Sequence, residues 1–167
     1  MTALRRAWLV AAREMRAERR QMDGMVAALT FMAVLVLLES LVVGPAVARE
    51  GRVAAALFWI ALLFAAIVSA TRSFDRELED DAIDAVVALP GGRDALYAGK
   101  LLALTAELGV VAAVGGLLSI VLLDLSVPLA GHLAIAALHG VLALPPVVVL
   151  AVAKALRQRA PPPLVPN

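Results

Sequence analysis

Four long runs of apolar residues constrain this chain more than any other feature of its sequence. They cover about residues 25–47, 53–70, 101–123 and 128–153. Each run is near or above the roughly 20 residues that a helix needs to cross a bilayer. Hydrophobic residues make up 62% of the chain, compared with roughly 45–50% apolar residues in soluble domains. The sequence therefore predicts an integral membrane protein.

The pattern inside these runs indicates helices. They lack the alternation of apolar and polar residues that barrel strands show, and a continuous apolar segment in lipid must satisfy its own backbone hydrogen bonds. We therefore expect an all-α fold, a polytopic bundle of four transmembrane helices in a transmembrane domain over residues 24–153. The first run is not expected to be a cleavable signal peptide, because it is longer than the apolar part of such a peptide.

The basic residues predict the orientation of the bundle. Thirteen of the fifteen Lys and Arg residues lie before the first run, in the connection 72–100 or in the tail 154–167, and the other two are Arg49 and Arg52. Because basic residues accumulate on the cytoplasmic side of membrane proteins, we expect both termini and the connection 72–100 to be cytoplasmic.

Residues 1–23 are predicted to form an amphipathic helix in the membrane interface. A helical wheel separates an apolar side from an arginine-rich side, and the apolar side contains Leu4, Trp8, Ala11, Ala12, Met15 and Met22. An ordinary basic anchor with no further role is the alternative. The apolar stripe and the transmembrane run behind it argue against a nucleic-acid-binding arm, so no nucleic-acid partner is expected.

The segment FDRELEDDAIDAVVALP, residues 74–90, is the most acidic part of the chain. At 100° per residue its apolar side chains form one stripe and its carboxylates lie on the polar side. We expect a short amphipathic helix that ends at Pro90-Gly91-Gly92, followed by a helix that Asp94 caps. The acidic face suits a basic protein surface better than anionic lipid. A solvated loop and a hard-cation site without EF-hand spacing are the alternatives.

Four ionisable residues are predicted to lie inside the membrane, namely Glu39, Glu107, His132 and His139. A charge at the bilayer centre costs about 2.5–3.5 kcal/mol or more, so such groups are candidates for function as well as for helix packing. The two histidines are about 10 Å apart along a helix axis, which excludes ligation of one iron by both. Contact of a single histidine with haem stays open. We expect no metal site and no catalytic residue.

The stretch RELEDDAIDAVVALPGGRDALYAGK resembles the signature of ABC-2-type permeases, with an Arg/Glu-rich turn, a short helix and a downstream Gly-Lys pair. Together with the preceding FWIALLFAAIVSATRSFDRELEDD, it is most similar to the membrane permease subunit of the haem exporter of cytochrome c maturation. The resemblance covers roughly residues 4–123. It implies a multi-pass protein of the bacterial inner membrane.

We call residues 74–90 the acidic connection. In that family the corresponding segment is a coupling helix that docks on a cytoplasmic ABC ATPase subunit. The resemblance therefore implies that ATP is bound only by that partner, that haem is the substrate, and that other membrane subunits of cytochrome c maturation are further partners. Carried over to this chain, the ATPase contacts are Arg76, Glu77, Leu78, Glu79, Asp80, Leu89 and Pro90, with Phe74 added from the apolar stripe.

The implied function is that of a noncatalytic permease subunit of an ABC transporter, acting in haem export or in release of a haem chaperone. A membrane scaffold that recruits a cytoplasmic partner, and an ABC-2 exporter of another substrate, are the alternatives. Permeases of this kind have six spans, whereas this sequence ends in LRQRAPPPLVPN after the fourth. We therefore expect a truncated, frameshifted or naturally shortened C-terminus, and transport by this chain alone is in question.

Overall fold

The computed structural model describes residues 3–43, 46–47, 50–79 and 91–159, and these ranges contain five long α-helices. No strand occurs within these ranges, and the predicted all-α fold is confirmed. The helices are α1 (Ala3–Gln21), α2 (Asp23–Val42), α3 (Gly51–Glu79), α4 (Gly92–Leu122) and α5 (Val127–Arg159).

Four of these helices are long and apolar enough to cross a bilayer, which confirms the polytopic helical bundle. The candidate spans are Asp23–Val42, Val53–Asp75, Gly92–Leu122 and Val127–Ala155. The helices exceed the predicted apolar runs at several ends. α4 begins at Gly92, just before Asp94, where its start was predicted, and well before the apolar run at residue 101; α5 continues to Arg159, into the predicted tail. A helix does not end where hydrophobicity ends, because polar residues without Pro or Gly continue it readily.

The four spans pack in a cyclic order. α2 packs against α3 and α4, α5 packs against the same two helices, and α3 also contacts α4 across the middle. Successive spans are antiparallel, so α2 and α4 begin where α3 and α5 end. We call this end of the bundle the N-terminal end. It also carries α1, which packs mainly on α4.

Glycines bring the spans into close contact. A Cβ at Gly115 of α4 would lie 2.7 Å from Met32 Cγ of α2, and one at Gly140 of α5 would lie 2.6 Å from Leu62 Cδ2 of α3. Met32 and Leu62 are completely buried at these crossings. Membrane helices associate through such close packing, because lipid chains are as apolar as the side chains themselves.

The outer faces of the bundle carry large exposed apolar side chains. Leu41 and Val42 on α2, and Ile135 and Leu142 on α5, are more than half exposed. A soluble monomer rarely shows so much contiguous apolar surface, whereas the hydrocarbon of a bilayer is a favourable solvent for it. The surface therefore agrees with a protein that spans a bilayer.

Helix α1 presents a different face to the bundle from the one the sequence predicts. Ala7, Ala11 and Glu14 are buried, whereas Trp8 is 60% exposed. Ala11 and Trp8, predicted to share the lipid-facing side, therefore have different surroundings. Met22, also assigned to that side, lies beyond α1 and connects it to α2 in a left-handed conformation with φ 53°.

The acidic connection also differs from the prediction. α3 continues without interruption to Glu79, because residues 71–79 contain neither Pro nor Gly. The first residues of the expected helix at 74–90 are therefore the last turns of α3 and not the start of a separate helix. Residues 80–90 lie outside the described part of the chain. Gly91, with φ 72°, precedes α4 in a conformation that glycine adopts without strain. Asp94 lies in the first turn of α4 and not at its cap, so that prediction was wrong.

Two adjacent prolines, Pro145 and Pro146, lie inside α5 and do not end it. Pro145 is fully buried, and the neighbouring Val148 and Val149 are buried as well. The helix around them is packed on α3 and α4, which is the setting in which a membrane helix tolerates proline.

Candidate functional site

A buried cluster of polar and charged side chains joins three helices at the N-terminal end. We call it the Lys100 cluster, and it consists of Glu14 of α1, Ser73 and Phe74 of α3, and Lys100 of α4. The residue Lys100 is only 3% exposed and Glu14 only 6%. Charges this deeply buried are stable only when they are paired and hydrogen-bonded.

The contacts of Lys100 meet that requirement. Its Nζ donates to Ser73 Oγ at 2.7 Å and to the backbone carbonyl of Ser73 at 3.2 Å. The same nitrogen lies 3.6 Å from Glu14 Oε2 and 4.5 Å from the centre of the Phe74 ring. The ammonium group therefore has oxygen partners and an aromatic face, which attracts cations through its quadrupole.

Ser73 connects the two charges. Its hydroxyl accepts the hydrogen bond from Lys100 and donates one to Glu14 Oε2 at 3.1 Å. The other carboxylate oxygen, Oε1, lies 3.6 Å from Nη2 of Arg13. The Glu14 carboxylate thus lies between two cations, and one hydroxyl links α1 to both α3 and α4.

Local sequence brings these residues together. Ala7, Ala11 and Glu14 are spaced four and three residues apart, so they share one face of α1, and the two alanines let that face approach α4. On the other side of the contact, Gly99 has no side chain. A Cβ at this position would lie 2.5 Å from Val10 Cβ. Gly99 therefore lets α1 approach α4 closely, and the adjacent Lys100 forms the ion pair with Glu14 of α1.

A half-open cavity of about 440 Å³ lies beside the Lys100 cluster. One face of α4 contributes Lys100, Ala103, Glu107 and Val110, which are three or four residues apart and hence aligned. α1 contributes Glu14, Met15 and Arg16, and the remaining walls come from α2, α3 and α5. The cavity has the size and the largely apolar lining of a small-molecule site, with Glu14, Arg16 and Lys100 toward one end and Glu107 deeper along α4.

The cavity lies at the boundary of the membrane-spanning region. Ser73 is near the end of the α3 span at Asp75, and Met25 is near the start of the α2 span at Asp23; both line the cavity. Glu107 lies two turns beyond Lys100, about 10 Å deeper along α4. The cavity therefore extends from near the ends of the α2 and α3 candidate spans into the bundle.

The predicted ATPase contacts are only partly described. Phe74 is 6% exposed and its ring belongs to the Lys100 cluster. Arg76, Glu77, Leu78 and Glu79 lie in the last turns of α3. Asp80, Leu89 and Pro90 are outside the described residues. Docking of an ATPase on this segment remains a prediction.

The predicted intramembrane residues do not form one site. Glu107 is the one of the four that lines the cavity. Glu39 lies three residues before the end of α2, at the opposite end of the bundle. His132 and His139 are exposed on α5, and His139 Nδ1 is 2.8 Å from the Ile135 carbonyl. Among the described residues, no group of three or more metal-binding side chains occurs.

Three residues of the cluster were missed as site residues. Lys100 was predicted to be a cytoplasmic basic residue near the start of a helix, whereas it lies two turns inside α4. Ser73 carried no pattern of its own. Glu14 gave a usable signal, because a carboxylate in register with Ala7 and Ala11 on a basic helix indicates a buried face with a cationic partner.

A family model described as CcmB protein matches residues 5–164 of this chain. No curated protein and no solved structure matches it. The family match continues past Leu123, through α5, and into the residues that follow it. The prediction that the family likeness covers only residues 4–123 was therefore too narrow.

Proposed function

This chain belongs to the CcmB family, the membrane subunits of the haem exporter of cytochrome c maturation, and on that premise we propose that it is the permease subunit of an ABC transporter. The transporter would export haem or release a haem chaperone. The chain lies in the bacterial inner membrane with both termini and residues 80–90 on the cytoplasmic side, and a separate cytoplasmic subunit hydrolyses ATP.

The observation that carries this proposal is the position of the Lys100 cluster at the end of the α3 span, just before the residues predicted to bind the ATPase. The α3 span ends at Asp75, yet the helix continues for another turn to Glu79. Just before the end of the span, Ser73 and its neighbour Phe74 are fixed by their contacts with the Lys100 ammonium group. A partner that binds the acidic connection would therefore act on α1, α3 and α4 at once.

This arrangement suits transmission of a movement. A helix is rigid over one or two turns, and packed interfaces respond to displacement by moving as bodies rather than by deforming continuously. A shift of α3 would displace the Ser73 hydroxyl from both its charged partners, which is costly for buried groups. The three helices are thus expected to move together when the ATPase changes conformation.

Haem enters this proposal as the substrate of the exporter and not as a resident group. The support is membership of the CcmB family. His132 and His139 are exposed on α5, away from the Lys100 cluster, and no step is assigned to them. Other membrane subunits of cytochrome c maturation are the natural neighbours of the exposed outer faces of α2 and α5.

Co-purification of the ATPase subunit tests the docking site. Burying a Leu side chain contributes about 1.5–3 kcal/mol, whereas an exposed ion pair contributes roughly 0–1 kcal/mol. Leu78→Asp should therefore reduce the ATPase retained by the tagged chain more than Asp84→Asn, which serves as the matched control in the same segment. Equal retention by the two variants would contradict a coupling role.

A second measurement separates a permease from a scaffold. In a strain that lacks its own CcmB protein, any holocytochrome c that the wild-type chain restores should be lost with Leu78→Asp at equal membrane abundance by immunoblot. A scaffold would instead retain the ATPase and allow holocytochrome formation when ATP hydrolysis by the partner is blocked.

A further inference from the structure

The cavity beside the Lys100 cluster lies at a depth where a membrane protein contacts both the headgroups and the hydrocarbon chains of one leaflet. Its walls include Ser73, close to the end of the α3 span, and Val110, far inside α4. Hydrocarbon and headgroups are therefore both within reach of a molecule bound there. A ligand that matches these surroundings has an apolar body and a polar end.

The charges at the polar end select the sign of that ligand. Lys100 and Glu14 largely neutralise each other at 3.6 Å. Glu107 lies deeper and already has an interaction inside the chain. The remaining lining charge is Arg16, whose Nε donates to the Ala12 carbonyl at 3.0 Å. Its guanidinium has further N–H groups that fit a phosphate oxygen.

Arg16 belongs to a helix whose described charges are mostly basic. The charged side chains of α1 that the structure describes belong to four arginines and one buried glutamate, namely Arg5, Arg6, Arg13, Arg16 and Glu14. A basic residue at the membrane surface attracts an anionic headgroup by about 1 kcal/mol, which corresponds to about fivefold in affinity, and of these arginines Arg16 is the one that lines the cavity.

We propose that the cavity binds one anionic phospholipid from the leaflet in which α1 lies. The phosphate is held at Arg16, and one acyl chain lies along Ala103, Ala106 and Val110. The lipid fills the space that α1 leaves against the spans below the close contact of Val10 with Gly99. This inference does not depend on an ATPase or on haem, and it holds for the chain alone in a bilayer.

Native mass spectrometry of the purified full chain tests the proposal. The protein is equilibrated in mild detergent with equal amounts of dioleoyl phosphatidylglycerol and dioleoyl phosphatidylcholine. We expect one retained phospholipid per chain, with phosphatidylglycerol favoured about fivefold. Arg16→Glu should abolish that preference. Arg5→Glu, a change at an exposed arginine of the same helix that does not line the cavity, should keep it.

A second pair of variants tests the acyl-chain end. Ala103→Phe fills the cavity and should lower retention of both lipids at least about tenfold, whereas Leu102→Phe, on the exposed side of the same helix, should leave it unchanged. Circular dichroism monitors folding, and if Ala103→Phe does not fold, the comparison of Arg16→Glu with Arg5→Glu decides.

Competition identifies the ligand. Glycerol 3-phosphate carries the phosphate without the chains, and haem is an anionic amphiphile of another kind. The proposal is overturned if either displaces phosphatidylglycerol at equal concentration, if the wild-type chain shows no preference between the two lipids, or if Arg16→Glu and Arg5→Glu behave alike.

Discussion

Lys100 of α4 and Glu14 of α1 place opposite charges 3.6 Å apart in the interior of the N-terminal end, with side chains that are at most 7% exposed. An interfacial helix could lie on a bundle through apolar contact alone. This one is fixed through a buried ion pair that Ser73 completes. Because a misplaced α1 would leave two charges unpaired, the pair specifies one position for the helix.

Removing the cation of this pair should destabilise the protein. Breaking a buried ion pair costs roughly 3–5 kcal/mol, and because Arg13 still faces Glu14, we expect about 2–3 kcal/mol for Lys100→Met. Thermal unfolding in detergent measures the loss. Arg93→Met, an exposed change in the first turn of the same helix, is the control and should have little effect.

The double variant Lys100→Met with Glu14→Gln gives a sharper test. It removes both charges, so it should be more stable than the sum of the single changes predicts. Strict additivity would mean that the two residues do not interact.

Two serines one helical turn apart allow a matched comparison of buried hydroxyl groups. Ser73 bonds to both Lys100 and Glu14, whereas the hydroxyl of Ser69 is buried without a hydrogen-bond partner among the described residues. Ser73→Ala should cost about 1–3 kcal/mol, because it leaves buried charged groups without a partner. Ser69→Ala should be neutral or stabilising in the same unfolding measurement. The reverse order would refute the assignment of Ser73 as the link.

The contact of α1 with α4 can be tested at two glycines of one helix. Gly99→Ala should push α1 away at Val10, with a loss of about 1–3 kcal/mol from overpacking. A Cβ added at Gly109 would meet nothing within 4 Å, so Gly109→Ala should stabilise α4 by up to about 1 kcal/mol. Val10→Gly removes the Cβ that a residue at position 99 would meet, so it should cost less in the Gly99→Ala background than in the wild type, and equal costs in the two backgrounds would count against this contact.

The orientation predicted from the basic residues is open to direct labelling. The chain has no cysteine, so a single Cys at Asp80 or at Gly51 is a unique reporter. An impermeant maleimide added to intact spheroplasts should label the Gly51→Cys variant and not Asp80→Cys. Both variants should react after the membrane is permeabilised. Labelling of position 80 alone before that step would invert the topology.

The sequence predicted the spans well, because each span needs only its own apolar run. The ends of the helices were predicted less well. The helix that was predicted to follow Asp94 begins at Gly92, and α5 extends beyond its apolar run to Arg159. Hydropathy indicates which residues of a helix lie in lipid, whereas the first residue of α4 is set by the turn at Gly91.

The site was harder to predict, because the Lys100 cluster is a contact between three distant segments. Periodicity describes one helix at a time, and it could not show that Glu14 meets Lys100 or that Phe74 lies inside the bundle. Glu107 could be singled out in advance, since an ionisable group in an apolar run is visible in the sequence. Its place in the cavity depends on packing.

The two prolines of α5 give this helix a mechanical property that the other spans do not share in their described parts. Neither Pro145 nor Pro146 carries a backbone N–H, so the carbonyls of Val141 and Leu142 lose the donors that a helix normally supplies. Lipid offers no replacement at that depth. α5 therefore lacks two backbone hydrogen bonds between Val141 and Pro146, and bending the helix at this level costs less than bending it anywhere else along its length.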